Sequence, residues 1–415
     1  MHISRVCKLY PSKKDVTLLN HWLEESLEVY NKYSRERILL FNNREHIPSV
    51  YSLKKDLTIL KKETGKFHDI SRTILDNTLF KLDEAWLSFW AKIKNKDYKA
   101  KPPRPRKHWN ILNFNNGFKI QNNNLFISEI GKGKKRYLTI IPFRQNDLLP
   151  EKYRIGEITI KRVRSEWFLH LTYNIPDEFL EKTTSKEYVA FDWGISTFLT
   201  DHNGNHVDEQ KFISAREKKH IANLQRKQRN QKRGSKRYQK SQDRINKIRE
   251  VERKRKKDHY YKLSLNMVSN FGTICIEDLT LSDLRTKEKH HGRSMNRQSP
   301  SIFFNCIKHQ AKKHDCNLIF VDAHYTSMTC NTCGYVKEDM TQQDREWDCP
   351  DCGSHHNRDH NGAKNILLLA KYVTSGIGGS AREVNNLAPQ IGDCFQSFRD
   401  GIKREEVESF NFERH

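Results

Sequence analysis

Apolar residues over the first hundred positions recur with a helical period. After a short strand over residues 1 to 10, Leu19, Trp22, Leu23, Leu27, Tyr30, Ile38 and Phe41 fall near a 3.6-residue spacing and predict one long helix ending before Pro48. A second helix is predicted over Val50 to Leu60 and a third over Ser71 to Ile93, where Ile74, Leu75, Thr78, Leu79, Leu82, Trp86, Phe89, Trp90 and Ile93 share one face. The aromatics of that stripe read as core first and as a base-stacking surface second. At Lys101 the pattern stops, because three prolines in KPPRPRKHWNILNF forbid helix and hold Arg104, Arg106, Lys107 and His108 on an extended backbone. That segment reads as a phosphate-tracking stretch or as an ordinary basic linker.

Period-two runs follow at Phe118 to Ile120, Leu125 to Ile127, Tyr137 to Pro142, Ile155 to Val163 and Trp167 to Tyr173. They predict five antiparallel strands joined by Gly and Asn turns, forming a small barrel. From Glu187 apolar strands alternate with helices. Tyr188 to Phe191 is a strand closed by Asp192, with Thr197 to Thr200 as its hairpin partner; residues 208 to 262 are a helical segment broken near Gly234. Thr273 to Ile276 is a strand running into Glu277 and Asp278, Ser301 to His314 a helix, Leu318 to Val321 a strand closed by Asp322, and a last helix runs from about Asn361 to Tyr372. Residues 280 to 299, polar and containing His290 and His291, read as a mobile loop, and the stretch beyond Thr374 as a poorly ordered tail.

Charge changes the picture most. The 415 residues suffice for two to four domains, and a formal net charge of +24 opposes compaction until a polyanion neutralises it. Nucleic acid is the expected partner. A membrane surface is the rival, but no amphipathic helix with a broad apolar face and no lipidation signal accompanies the charge. About twenty Lys and Arg crowd residues 208 to 262, with Tyr238, Tyr260 and Tyr261 interleaved, which favours a nucleic-acid contact over a merely solvated face. No run approaches the roughly eighteen apolar residues of a spanning helix and no signal-peptide core follows Met1, so a cytoplasmic protein is expected.

Of nine cysteines, Cys7, Cys275, Cys306, Cys316 and Cys394 are scattered and indicate no disulfide framework. The other four form two C-x-x-C pairs, Cys330 with Cys333 and Cys349 with Cys352, fifteen residues apart, which is the spacing of a four-thiolate structural zinc site. Gly334 and Gly353 follow each pair where a tight turn must aim backbone amides at sulfur. His355 or His356 is the alternative ligand to a thiolate. Three acids stand at element ends: Asp192, Glu277 and Asp359, with Asp322 a rival for the third place. Carboxylates bordering apolar runs are costly to bury unless a divalent cation offsets the charge. Three of them suffice to hold two magnesium or manganese ions about 3.5–4 Å apart, one activating water and one stabilising a leaving oxygen.

FDWGIST around Asp192, ICIEDL around Glu277, YTSMTCNTCG and DCPDCG around the cysteines, NRDHNGAKNIL around Asp359, and SRTILDNTLFKLDEAWLSFW with the basic proline segment after it carry a resemblance over nearly the whole chain. The chain resembles the transposon-encoded TnpB proteins of the IS200/IS605 and IS607 groups, RNA-guided DNA endonucleases related to the compact type V (Cas12f-like) CRISPR effectors. The resemblance implies a multidomain α+β fold. Its parts would be an amino-terminal wedge β-barrel (1–15 and 98–182) interrupted by a helical recognition insert (16–97), an RNase H-like (RuvC) α/β nuclease domain (186–324 and 356–373), an inserted zinc ribbon (325–355) and a tail (374–415).

It further implies Asp192, Glu277 and Asp359 as catalytic magnesium or manganese ligands and structural zinc on Cys330, Cys333, Cys349 and Cys352, while Asp278, on the opposite face of a strand continuing past Glu277, reads as structural. The implied partners are a guide RNA, one per protein, and target double-stranded DNA cut beside a short flanking motif, in a prokaryotic, nucleoid-associated protein. Arg104, Arg106, Lys107 and the basic helices are candidate phosphate contacts. Tyr51, Arg72, Asn77 and Lys81 are candidate readers of the flanking duplex, chosen by chemistry and exposure. Trp193, Asn357 and Gly362 depart from the family pattern, and Trp193 is expected to narrow the active-site cleft. A nuclease-inactive RNA-guided regulator, a compact type V effector and an RNA-independent transposase are the alternatives.

Overall fold

The computed structural model describes residues 2–97, 99–129, 136–144, 153–176, 182–194, 197–208, 210–278, 296–322, 325–341 and 344–374. The loop expected over 280 to 299 falls mostly outside them, with His290 and His291, and so do the expected tail and Cys394. The chain divides into two units, residues 1–179 and 180–415.

In the first unit β1 (His2–Leu9) is followed by α1 (Lys13–Asn42), α2 (Val50–Thr64) and α3 (Arg72–Lys94), and then by β2 (Ile111–Phe114), β3 (Phe118–Gln121), β4 (Asn124–Glu129), β5 (Arg136–Arg144), β6 (Ile155–Val163) and β7 (Glu166–Asn174). All seven strands join one antiparallel sheet in the order β2-β6-β7-β1-β5-β4-β3. The first strand therefore lies in the middle, and the three helices are an insertion between it and the rest. The small barrel expected from the period-two runs takes the form of a half-barrel sheet with β2 and β3 at its ends. β2 escapes the sequence reading because its four residues close the basic proline segment and are too few to show a period.

Helix α1 begins at a capping box in which Ser12 accepts from the Asp15 amide and Asp15 accepts from the Ser12 amide. The Asp15 carboxylate also accepts from the Thr139 hydroxyl on β5, fastening helix to sheet. Ile74, Leu75, Thr78, Leu79, Leu82, Trp86 and Phe89 of α3 are buried, whereas Trp90, at 41% exposure, has left the core side of the stripe. Arg37 on α1 is buried and donates to the Asp83 carboxylate on α3 and to the Pro48 carbonyl, both at 2.9 Å.

The second unit holds β8 (Tyr188–Asp192), β9 (Leu199–Asp201), β10 (His206–Val207), α4 (Ala215–Arg229), α5 (Lys236–Asn270), β11 (Thr273–Asp278), α6 (Pro300–His314), β12 (Asn317–Asp322), β13 (Glu346–Asp348), β14 (His355–Asn357) and α7 (Arg358–Thr374). Its main sheet runs β10-β9-β8-β11-β12: an antiparallel meander, then two parallel strands reached by the helical crossovers α4/α5 and α6. Strand alternation sorts the two faces. Val189, Phe191, Ile274 and Ile276 pack with Tyr260, Met267 and Val268 of α5 and Phe303 and Ile307 of α6. Ala190, Cys275 and Val321 pack with Ile366, Leu369 and Ala370 of α7 on the other side.

That sorting corrects two expectations. Trp193 is 6% exposed within the α5/α6 core, so it fills the hydrophobic face instead of narrowing a cleft. Tyr260 stacks on Phe198 with ring centroids 5.1 Å apart and is buried, so it is core and offers no surface for a base. Among the described residues no helix is long and apolar enough to cross a membrane.

Candidate active site and metal centre

Because β8 and β11 are parallel with Phe191 opposite Ile276, one further step along each strand brings Asp192 alongside Glu277. Both share the parity of Ala190 and Cys275 and so belong to the face covered by α7. Asp359 lies in the first turn of α7. Strand order, strand parity and one helix start thus bring together three acids separated by 85 and 82 positions in sequence, from 192 to 277 and from 277 to 359. Asp192 and Glu277 are each 6% exposed, and the Asp359 side chain 18%.

The electrostatics report the crowding. Burial pushes the Asp192 carboxyl well above the usual carboxylate range, the Glu277 and Asp359 charges push it further, and Arg358 and Arg345 pull in the opposite direction. Burial and the neighbouring charges disfavour the ionised form of Asp192, and a hard divalent ion, which takes carboxylate oxygens as donors, would offset both. Gly362, one turn after Asp359, leaves room for Asp192: a Cβ there would stand 3.3 Å from Asp192 Oδ2. Asp278 is exposed and out of phase with Glu277, and the Asp322 backbone pairs with Asp278 while Val321 pairs with Glu277. Backbone register thus places the rival acid Asp322 one step out of phase with the cluster.

Two further residues touch the acids, neither of them singled out by the sequence reading. Thr326 donates its hydroxyl to Glu277 Oε1 at 2.8 Å. Arg345 Nη1 approaches Asp359 Oδ1 at 3.4 Å. Asn361 and Asn365, buried on α7, bind the turn after Tyr325: the Asn361 amide donates to the Thr329 carbonyl at 2.7 Å, and that of Asn365 to the carbonyls of Thr326 and Thr329 at 2.8 and 2.7 Å.

The four predicted cysteines converge, their Sγ atoms all within 4.8 Å of one another. Cys330–Cys352 and Cys333–Cys349 stand at 3.6 and 3.5 Å. A zinc tetrahedron with bonds of about 2.3 Å has edges of about 3.8 Å, so the cluster is compatible with a structural zinc site. Gly334 (φ 89°) and Gly353 (φ 69°) close the two turns, donating to the Cys330 and Cys349 carbonyls at 2.9 Å, while the Thr332 amide donates to Cys330 Sγ at 3.3 Å. Burial pushes the Cys330 and Cys333 thiols up. A bound cation would reverse this by favouring thiolate. His356 Nε2 sits 3.0 Å from Cys330 Sγ as a neighbour of the completed set, and His355 pairs with Asp348 at 2.7 Å. Neither replaces a cysteine.

Arg104, Arg106 and Lys107 are exposed on irregular backbone. The Arg106 guanidinium lies over the Tyr30 and Trp109 rings, 4.6 and 4.8 Å from their centroids, and its backbone exchanges two hydrogen bonds with Asn31. Of the four candidate readers, Tyr51 and Arg72 project outward, while Lys81 is tied to Glu84 at 2.8 Å. Asn77 is half-buried and donates to the Asn113 carbonyl on β2 at 3.0 Å and to Asn115. It joins helix to sheet, so its presumed exposure does not hold.

Two family models match the chain: "Probable transposase" (OrfB_IS605) over residues 170–288 and "Cas12f1-like, TNB domain" over residues 301–366. A Streptomyces pristinaespiralis protein named as an RNA-guided DNA endonuclease is 25% identical over 379 residues, 90% of each chain. TnpB-like protein L79 of Acanthamoeba polyphaga mimivirus is 30% identical over 118 residues, 27% of this chain and 22% of that protein. Among solved structures, the cryo-EM structure of a Cas12f1–sgRNA–target DNA complex contains a chain that matches with a TM-score of 0.56 at 15% identity, covering 86% of this chain and 83% of that one, a likeness of fold.

Proposed function

We propose that the chain, which is similar to the TnpB-like proteins, is an RNA-guided DNA endonuclease that hydrolyses target phosphodiesters beside a short flanking motif. The observation that carries the reading is the meeting of Asp192, Glu277 and Asp359 on the α7 face of the parallel strands. Acids at two strand ends and a helix start, on a meander continued by two parallel strands, support an RNase H-like (RuvC) nuclease with 186–324 and 356–373 as its body.

In that reading Asp192, Glu277 and Asp359 would hold two magnesium or manganese ions, which would supply an activated water and charge stabilisation at the leaving oxygen. Cys330, Cys333, Cys349 and Cys352 hold a structural zinc in the ribbon 325–355. Guide RNA and target DNA are the polyanions that answer the +24 charge, with Arg104, Arg106, Lys107 and the exposed Lys and Arg of α4 and α5 on phosphates. Tyr51, Arg72 and Lys81 on the helical insert are its candidate readers of the flanking duplex.

The test is cleavage of matched linear DNA by the protein purified with its own co-expressed RNA. Cutting should require Mg2+ or Mn2+ and fall by at least about a thousandfold in Asp192→Ala, since that change removes a ligand the transition state depends on. Full activity of Asp192→Ala would sink the assignment. Sequencing the RNA that co-purifies separates a transposon-derived guide from a repeat-derived one.

A further inference from the structure

The segment entering the cysteine cluster does more than carry thiols. Thr326 is 2% exposed and lies between two elements that bear acids: its hydroxyl donates to Glu277 Oε1 at 2.8 Å, and its carbonyl accepts from Asn365 Nδ2 of α7 at 2.8 Å. Asn365 is fully buried and also holds the Thr329 carbonyl at 2.7 Å, one residue before Cys330. Asn361, one turn earlier on α7, binds the same Thr329 carbonyl at 2.7 Å and accepts from the Asn331 amide at 2.9 Å. Asp359, two residues before Asn361, lies in the first turn of that helix. One helix therefore presents one acid directly and reaches a second through a side-chain amide and a threonine.

We propose that Thr326 is a positioning residue for Glu277, holding one carboxylate oxygen so that the other faces the metal-binding cluster, and that α7 sets this geometry through Asn365. The inference rests on the nuclease reading for the role of Glu277. A carboxylate has two oxygens and a rotatable terminal bond, so a fixed donor on Oε1 removes rotamers that turn the group away from a cation. Threonine suits the task because its methyl restricts χ1 while the hydroxyl donates. The position is also tied to the cysteine cluster, so loss of the structural metal would loosen Glu277 without touching it.

The test compares the full-length protein with Thr326→Val, which keeps shape and loses the donor, and Thr326→Ser, which keeps the donor. Two readouts are taken: Mn2+ binding to the RNA-free protein by electron paramagnetic resonance, and Mn2+ dependence of guided cleavage. Zinc content and melting temperature serve as controls. Removing such an outer partner typically weakens metal affinity about 10–100-fold, so Thr326→Val should bind Mn2+ at least about tenfold more weakly with zinc retained, and Thr326→Ser should restore binding. In a Glu277→Gln background Thr326→Val should have no further effect.

Thr326→Val binding Mn2+ as the parent does, with zinc in place, overturns the proposal, and so does an equal loss in Thr326→Ser. If Thr326→Val fails to fold, Thr326→Ala is judged by the same criteria. A parent that binds Mn2+ but cuts no guided DNA would fail the nuclease reading while the binding comparison still decides the role of Thr326. A parent that cuts, beside a Thr326→Val that is indistinguishable from it, fails the Thr326 proposal alone.

Discussion

At Asp192 the demands of folding and of chemistry oppose each other. Its carboxyl is buried beside two other acids, and burial, followed by the Glu277 and Asp359 charges, holds its proton more tightly in the folded chain than in the unfolded one. An unfolded aspartate titrates near about 3.9, so below that value the residue takes nothing from stability. As the pH rises from there toward the raised native value, the folded state loses ground, and the penalty is complete once that value is passed. Asp192→Asn keeps the shape and abolishes the ionisation. In magnesium-free buffer the variant should therefore melt above the parent at about pH 8, by about 2–4 °C for each kcal/mol relieved, and match it near pH 4. Equal melting curves at both pH values would show that the cluster carries no strain of charge. The residue was legible in the sequence as an acid closing an apolar strand. Its companions Thr326 and Arg345 were not, because their contacts to Glu277 and Asp359 join chain segments that no local pattern relates.

Among the elements, α7 concentrates the most function. It covers one face of the sheet with Ile366, Leu369 and Ala370, carries Asp359 in its first turn, and spends two buried asparagines on the turn that opens the cysteine module. Leaving a polar group without its partner costs about 1–3 kcal/mol, and Asn361→Ala strips the Asn331 amide of its acceptor and the Thr329 carbonyl of one of its two donors, so that turn should loosen without loss of a thiol. Zinc transfer to a chromogenic chelator should become at least about fivefold faster than in the parent, since roughly 1 kcal/mol of local opening corresponds to that factor. An unchanged transfer rate would mean that the four thiols hold the module unaided. Periodicity located α3 to within a residue, predicted from Ser71 to Ile93 and found at Arg72–Lys94, whereas α2, predicted to stop at Leu60, runs on to Thr64. Periodicity failed where neighbours decide: β2 is too short to show a period. Trp193 and Tyr260 look available for chemistry until strand parity and the packing of α5 commit them to the core.

At the scale of the whole molecule the unanswered quantity is charge. From Lys218 to Arg249 thirteen lysines and arginines stand against one acid, Asp243. The ion pairs of α5 collect toward its far end, where Glu250, Glu252 and Asp258 meet Lys254, Arg249 and Lys262. The α4 end and the turn through Gly234 thus keep their positive charge, with Lys227, Arg229, Arg233 and Lys236 all exposed. A solvated face and a phosphate-binding face predict different salt behaviour. Phosphate contacts release condensed counterions, steepening the fall of log K with log salt by about 0.9 per contact on duplex and about 0.7 on single strands. Replacing Lys227, Arg229, Arg233 and Lys236 together by Gln should make the slope for guide RNA shallower by about 3 if all four touch phosphate. Melting of the free chain at low salt should hold or rise, since like charges are being removed. A slope equal to the parent's, with affinity unchanged, would mark these residues as a solvated face and leave the +24 charge to be answered elsewhere on the chain.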